Sequence, residues 1–266
     1  MLSVCATPIG NLEDVTLRVL RELAEADLVL CEDTRRTRVL LDRHGIRASL
    51  LSYHEHNEAA RTAELLPRLA AGERLALVSD AGLPAISDPG ARLIAAALEA
   101  GVPVTVLPGP SAVETALVAS GLAADRYQFL GYLPRGEKSL AASWDELARV
   151  PWPTVAFESP QRLPATLRSL ARAAPRRLVA VCRELTKQFE EIVRGTAEEV
   201  AARFAEPPKG EITLVLGGGV SVEPDEAAAL EAVAELAALG VGRRRAADVV
   251  ARLTGVSRNR LYRASL

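Results

Sequence analysis

No apolar run in this chain approaches the roughly 20 residues needed to cross a bilayer. The first residues read as a strand and lack the pattern of a secretory signal, so the expectation is a cytosolic protein with no membrane partner. Cysteine is scarce: Cys5, Cys31 and Cys182 stand far apart, two of them inside apolar runs, with no CxxC pair. That spacing argues for buried reduced thiols and against a disulfide or metal site. The only histidines are His44, His54 and His56. His44, just before Gly45, suits a helix end, where a cationic ring is favoured. His54 and His56 are expected on a strand with both rings facing one way, but further ligands are missing, so substrate contact or dimer packing is expected instead of zinc. There is no Walker loop, and the turn at residues 7–11, TPIGN, is not the GxGxxG of a dinucleotide fold.

What the chain does have is bulk and rhythm. With 266 residues, 49% of them apolar, it can bury a sizeable core and has room for two domains. The net charge of -2 hides an asymmetry. Between Val220 and Gly242 the only charges are acidic, whereas from Arg243 onward seven arginines face Asp248 alone. Such a basic tail suits RNA phosphates or a solvated helix face equally well.

Through residue 107, strand-like runs alternate with helical ones: strands near 2–6, 28–31, 49–53, 75–78 and 102–107, with helices near 14–25, 34–44, 58–71 and 89–100. Strict alternation predicts a parallel sheet with helices on both faces. Ser111 and Glu114 have capping-box spacing for a helix that Gly121 ends. Beyond residue 122, strands near 127–133, 154–157, 178–182 and 212–216 are separated by segments of unequal length, which predicts a mixed sheet. The expected fold class is α/β, with two α/β/α domains at 1–122 and 123–219 and a small helical, helix-turn-helix-like extension at 220–266.

The stretch from Leu75 to Gly90, LALVSDAGLPAISDPG, is central to this plan. Its apolar start suits a strand covered on both faces, and Ser79, Asp80, Ala81, Gly82 and Leu83 then bring polar and small groups to that strand's carboxyl end. Asp88 is placed to cap the next helix, with Pro89 at its first position. Four such loops (Thr7 to Asn11, Glu32 to Arg36, Ser79 to Pro84, Pro108 to Ser111) end at strand carboxyl termini, where open α/β sheets bind ligands. Two polar clusters, Glu158 to Arg162 and Arg183 to Glu190, follow strands of the second half. Gly10, Gly82 and Gly109 allow close backbone approach, a pattern suited to an adenosyl or nucleotide ligand.

The segments ATPIGN (6–11), CEDTRRT (31–37), HEHNE (54–58), LVSDAGLPAISDPG (77–90), LPGPSA (107–112), FLGYLPR (129–135), FESPQRL (157–163), RELTKQFE (183–190) and KGEITLVL (209–216) together resemble the bacterial small-subunit ribosomal RNA methyltransferase I family, within the tetrapyrrole methylase superfamily. The resemblance runs in order along nearly the whole chain. One departure is Leu83, where that family usually has threonine. The resemblance implies two α/β domains holding S-adenosylmethionine between them, a homodimer, and 2'-O-methylation of a cytidine in the decoding region of 16S rRNA within the small ribosomal subunit. It implies a cofactor role for Thr7, Pro8, Gly10, Ser79, Asp80, Ala81, Gly82 and Ser111.

A sulfonium methyl is already activated, so alignment of oxygen, carbon and sulfur dominates, with assistance to loss of the hydroxyl proton as a second requirement. The candidates for that assistance are Glu184, Lys187, Asp33 and Arg35. An ordinary ion pair at Arg183 and Glu184, and a helix cap at Asp33, are the competing structural roles. Arg135, Lys138 and the tail arginines are candidates for phosphate contact. The rival activities are methylation of a tetrapyrrole and RNA binding without catalysis.

Overall fold

The structure, a computed structural model, describes residues 1–219, 226–254 and 256–264. The first sheet contains β1 (Leu2–Cys5), β2 (Leu28–Cys31), β3 (Leu50–Ser52), β4 (Leu75–Leu77) and β5 (Val104–Leu107), all parallel in the order β3-β2-β4-β1-β5. Helices α1 (Leu17–Glu25), α2 (Thr34–Arg43), α3 (Glu58–Ala70) and α4 (Ala91–Glu99) connect the strands. Strand periodicity divides the core into two layers. Leu28, Leu30, Leu75 and Leu77 pack with Leu65 and Leu93 of α3 and α4, while Val29, Cys31 and Ala76 pack with Val19, Leu23 and Leu41 of α1 and α2. Burial on both faces explains why these strands read as unbroken apolar runs.

The second sheet contains β6 (Gln128–Tyr132), β7 (Thr154–Glu158), β8 (Leu178–Arg183), β9 (Glu191–Thr196) and β10 (Ile212–Leu216), in the order β6-β7-β10-β8-β9. Only β6 and β7 pair in parallel, so the sheet is mixed as expected. Its helices are α5 (Ala112–Ser120), α6 (Glu137–Leu147), α7 (Leu163–Ala173) and α8 (Ala197–Arg203). Val113, Ala116 and Leu117 of α5 pack on Val155, Ala180 and Val215 of this sheet. Both sheets lie in one compact unit, residues 1–145 with 152–218.

Several local expectations need correction. α1 begins at Leu17 and not near residue 14, because Thr16 caps it, its hydroxyl accepting from the Val19 N–H. Asp88 does not cap α4: Gly90 occupies that position, because Ala85 (φ 68°) and Ser87 (φ 64°) fold the chain back before the helix begins. Ser111 flanks α5 without capping it, since its hydroxyl bonds to the Glu114 carboxylate and not to a backbone N–H. His54 and His56 lie in the turn after β3, not on a strand, with their rings edge-on at 5.9 Å. Edge strand β9 has no counterpart among the expected strands, because Glu191 and Arg194 interrupt any apolar pattern.

The other compact unit joins residues 146–151 to 219–266. Its helices α9 (Glu226–Ala238), α10 (Arg243–Thr254) and α11 (Arg258–Ala264) bury Ala229, Val233, Ala246, Val250, Val256 and Leu261 together. Gly255, where a helix-turn-helix-like extension would turn, and residues 220–225 lie outside the described residues. No described helix is long and apolar enough to cross a membrane. Among the described residues no His, Cys, Asp and Glu cluster could hold a metal ion.

Candidate active site

The loops after β1, β2, β4 and β5 meet at the carboxyl edge of the first sheet, because parallel strands deliver every such loop to the same side. Thr7 pins two of them together. Its N–H donates to the Gly82 carbonyl at 2.8 Å, the Gly82 N–H returns to the Thr7 carbonyl at 3.0 Å, and the Thr7 hydroxyl donates to the Ser79 carbonyl at 3.0 Å. Gly82 sits at φ 75°, where a side chain is strained. Asp80 ties in a third loop: its carboxylate accepts from the Asp33 N–H at 3.0 Å and pairs with Arg36 at 3.5 Å.

Two cavities adjoin this knot. The larger, about 850 Å³, is lined by Asp80, Ala81, Gly82, Pro110 and Ser111 on one side and by Tyr132, Phe157 and Glu158 of the second sheet, with Glu211 just before β10, on the other. The smaller, about 310 Å³, is lined by Thr7, Pro8, Gly10, Ser79 and Lys187. Ile9, Arg36, Asp80, Ala81 and Glu211 line both. The expected cofactor residues therefore fall in two groups: Asp80, Ala81, Gly82 and Ser111 on the large cavity, and Thr7, Pro8, Gly10 and Ser79 behind it. Gly10 leaves its space to the protein itself, since a Cβ there would lie 2.5 Å from Lys187 Cγ and 2.8 Å from the Leu185 carbonyl. Leu83 gives the large cavity an apolar wall.

The four candidates for proton transfer sit differently. Asp33 caps α2 and its carboxylate accepts from the Arg35 guanidinium at 2.7 and 3.0 Å, which pulls its pKa down to about 2. Lys187 donates to Glu184 and Glu211, each at 2.8 Å. The Lys187 hydrogen bond holds Glu184 below the ordinary carboxylate range, and the two acids raise Lys187 although burial opposes it. Glu184 (φ 53°) and Thr186 (φ 64°) are left-handed, so this turn is strained by about 1–3 kcal/mol per residue. Lys187 reaches only the smaller cavity, and Asp33, Arg35 and Glu184 line neither.

Residues with no cofactor or catalytic role expected from the sequence complete the large cavity. Phe157 is edge-on to Phe129 at 4.9 Å and to Tyr132 at 5.7 Å. Glu158 is held by Thr166, the Ser159 N–H and Arg162. Burial, and then Glu32, push Asp88 up to about 6. Five carboxylates (Asp80, Asp88, Glu114, Glu158 and Glu211) line the cavity against Arg36 as its single cation among the described residues. A mostly apolar chamber of this size with convergent acids fits a cationic ligand carrying a flat apolar moiety, and the sulfonium, ammonium and adenine groups of S-adenosylmethionine match that chemistry.

Residues 1–201 match the family model of tetrapyrrole (corrin/porphyrin) methylases. A protein of Mesorhizobium japonicum named ribosomal RNA small subunit methyltransferase I is 43% identical over all of this chain and 91% of its own length. A protein of the same name from Thermotoga maritima is 46% identical over 82% of this chain and 98% of its own length. The chain belongs to this methyltransferase family. Its fold is shared by the Thermus thermophilus uroporphyrin-III C-methyl transferase solved with S-adenyl homocysteine, at a TM-score of 0.58 and 22% identity over 83% of this chain and 99% of that one. Family membership agrees with the resemblance drawn from the sequence motifs.

Proposed function

We propose that this protein transfers a methyl group from S-adenosylmethionine to the ribose 2'-oxygen of a cytidine in 16S rRNA of the small ribosomal subunit. The full-length likeness to the Mesorhizobium protein carries this reading. The acid-lined chamber supports it, because a cationic donor gains there what an anionic ligand would lose. When bound, S-adenosylmethionine supplies a methyl group already activated by positive sulfur. Asp80, Ala81, Gly82 and Ser111 would hold it from the first sheet. Tyr132, 63% exposed at the end of β6, offers the target base a stacking face. Exposed Arg135 and Lys138 follow directly and suit the flanking phosphates.

In the helical extension all seven arginines are exposed, and Arg258 and Arg260 pair with Asp248 and Glu226. Arg243, Arg244, Arg245, Arg252 and Arg263 have no carboxylate partner among the described residues and give a surface suited to RNA phosphates. In this reading the extension adds affinity for RNA and is not part of the methyl-transfer site. We further propose halves at 1–122 and 123–219 acting from either side of the donor, a homodimer, and a cytoplasmic setting.

Methyl-labelled S-adenosylmethionine should be offered with assembled small subunits, naked 16S rRNA and a tetrapyrrole. Label in rRNA is expected. Label only in the tetrapyrrole, or RNA binding without transfer, overturns the reading.

A further inference from the structure

Four of the five carboxylates around the large cavity are already engaged. Asp80 accepts from the Asp33 N–H and pairs with Arg36. Glu114 accepts from the hydroxyls of Ser111 and Tyr127. Glu158 accepts from Thr166 at 2.6 Å and from the Ser159 N–H at 2.7 Å, and pairs with Arg162 at 3.3 Å. Glu211 holds Lys187 at 2.8 Å. Asp88 is different: the acids facing it are Glu32 and Asp80, Tyr132 lies opposite on the second sheet, and only the Ser79 hydroxyl favours its charge. Arg36 is taken by Asp80, and His54 acts on Glu32. The two left-handed residues Ala85 and Ser87 turn the chain so that Asp88 faces the cavity instead of capping α4.

Resting on the function proposed above, we infer that Asp88 is the catalytic proton acceptor, taking the proton of the attacking ribose hydroxyl. The hydroxyl oxygen forms its new bond to the methyl carbon, the electron pair of the broken carbon–sulfur bond returns to sulfur and discharges it, and the proton passes to the Asp88 carboxylate. A free carboxylate lining the chamber can meet a hydroxyl there, whereas the four candidates drawn from sequence are tied up in ion pairs, Asp33 with Arg35 and Glu184 with Lys187, outside the large cavity. Burial, with Glu32 and Asp80 adding to it, places the Asp88 pKa at about 6, so near neutral pH the group is ionised and a better base than an ordinary aspartate.

The sign of this shift gives a test on ligand-free protein. An acid whose folded pKa lies above its unfolded value costs stability progressively as pH rises from the unfolded value through about 6. Asp88→Asn removes that cost, so the variant should melt above wild type, with a gap that widens between about pH 4.5 and pH 7 and then levels. In the methyl-transfer assay the same variant should lose about 100-fold or more in kcat. It should also lose the acid limb expected near pH 6 in the wild-type rate profile. Calorimetric affinity for S-adenosylhomocysteine should stay within about threefold, and Asp88→Glu should recover part of the rate. A kcat within about threefold of wild type, with the acid limb intact, overturns the assignment. So does a melting gap that ignores pH. A wild-type enzyme inactive on RNA would sink the functional reading instead, while the melting data still report on Asp88.

Discussion

The loops after β2 and β4 each present an aspartate at the carboxyl edge of the same sheet, and the two have opposite chemistry. Asp33 caps a helix, chelates the Arg35 guanidinium and has its pKa pulled down to about 2. Asp88 lies half-buried among other acids, without a cation, and is pushed up to about 6. The residue type is the same and the sheet edge is the same. What separates them is whether local backbone and a neighbouring arginine satisfy the charge, and only the unsatisfied one is left with chemistry to do.

The sharpest test of that contrast sets Asp33→Asn beside Asp88→Asn. Asparagine caps a helix as well as aspartate, so methyl transfer in Asp33→Asn should stay within about threefold of wild type, against the roughly 100-fold loss at Asp88. A large loss at position 33, measured as kcat on assembled subunits, would reverse the ranking. Their pH dependences should also oppose each other: the contribution of Asp33 to stability is present above its unfolded pKa and disappears as pH falls through about 2.

Next in size is the packing of Gly10 against the β8–β9 turn. Gly10→Ala would force Lys187 and the Leu185 backbone aside and should destabilise the fold by about 1–3 kcal/mol, read by denaturant unfolding, without moving the acid limb of the rate profile. A smaller effect is expected from Glu32→Gln, which removes one of the charges raising Asp88 and should shift that limb to lower pH. An unmoved limb would show that Glu32 does not act on the titrating group. Smallest of all, replacing Arg243, Arg244 and Arg245 by alanine should flatten the salt dependence of RNA binding by about one logarithmic slope unit for each phosphate no longer neutralised, with kcat at saturating RNA unchanged.

The sequence makes one side of this comparison plain and conceals the other. β1, β2 and β4 are apolar runs closed by turn-prone residues, so the convergence of their loops follows from alternation alone. Asp33 is equally legible, two residues before an arginine at a helix start. Asp88 is not: Ser-Asp-Pro-Gly ahead of a helical pattern has the composition of an N-cap, and nothing in it reports that Ala85 and Ser87 turn left-handed and move the helix start to Ala91. Tyr132 is obscure for a related reason, and Glu158 is legible only as part of a polar cluster after a strand, not as a cavity residue. Each closes a strand of the second sheet, and only the packing of that sheet over the first shows that they face the chamber. β9 hides because an edge strand needs no apolar alternation.

The most direct measurement is nucleoside mass spectrometry of 16S rRNA digested after reaction with labelled S-adenosylmethionine. Label recovered as 2'-O-methylcytidine is the predicted result. Label on a base, or none in RNA while a tetrapyrrole is methylated, would contradict the account.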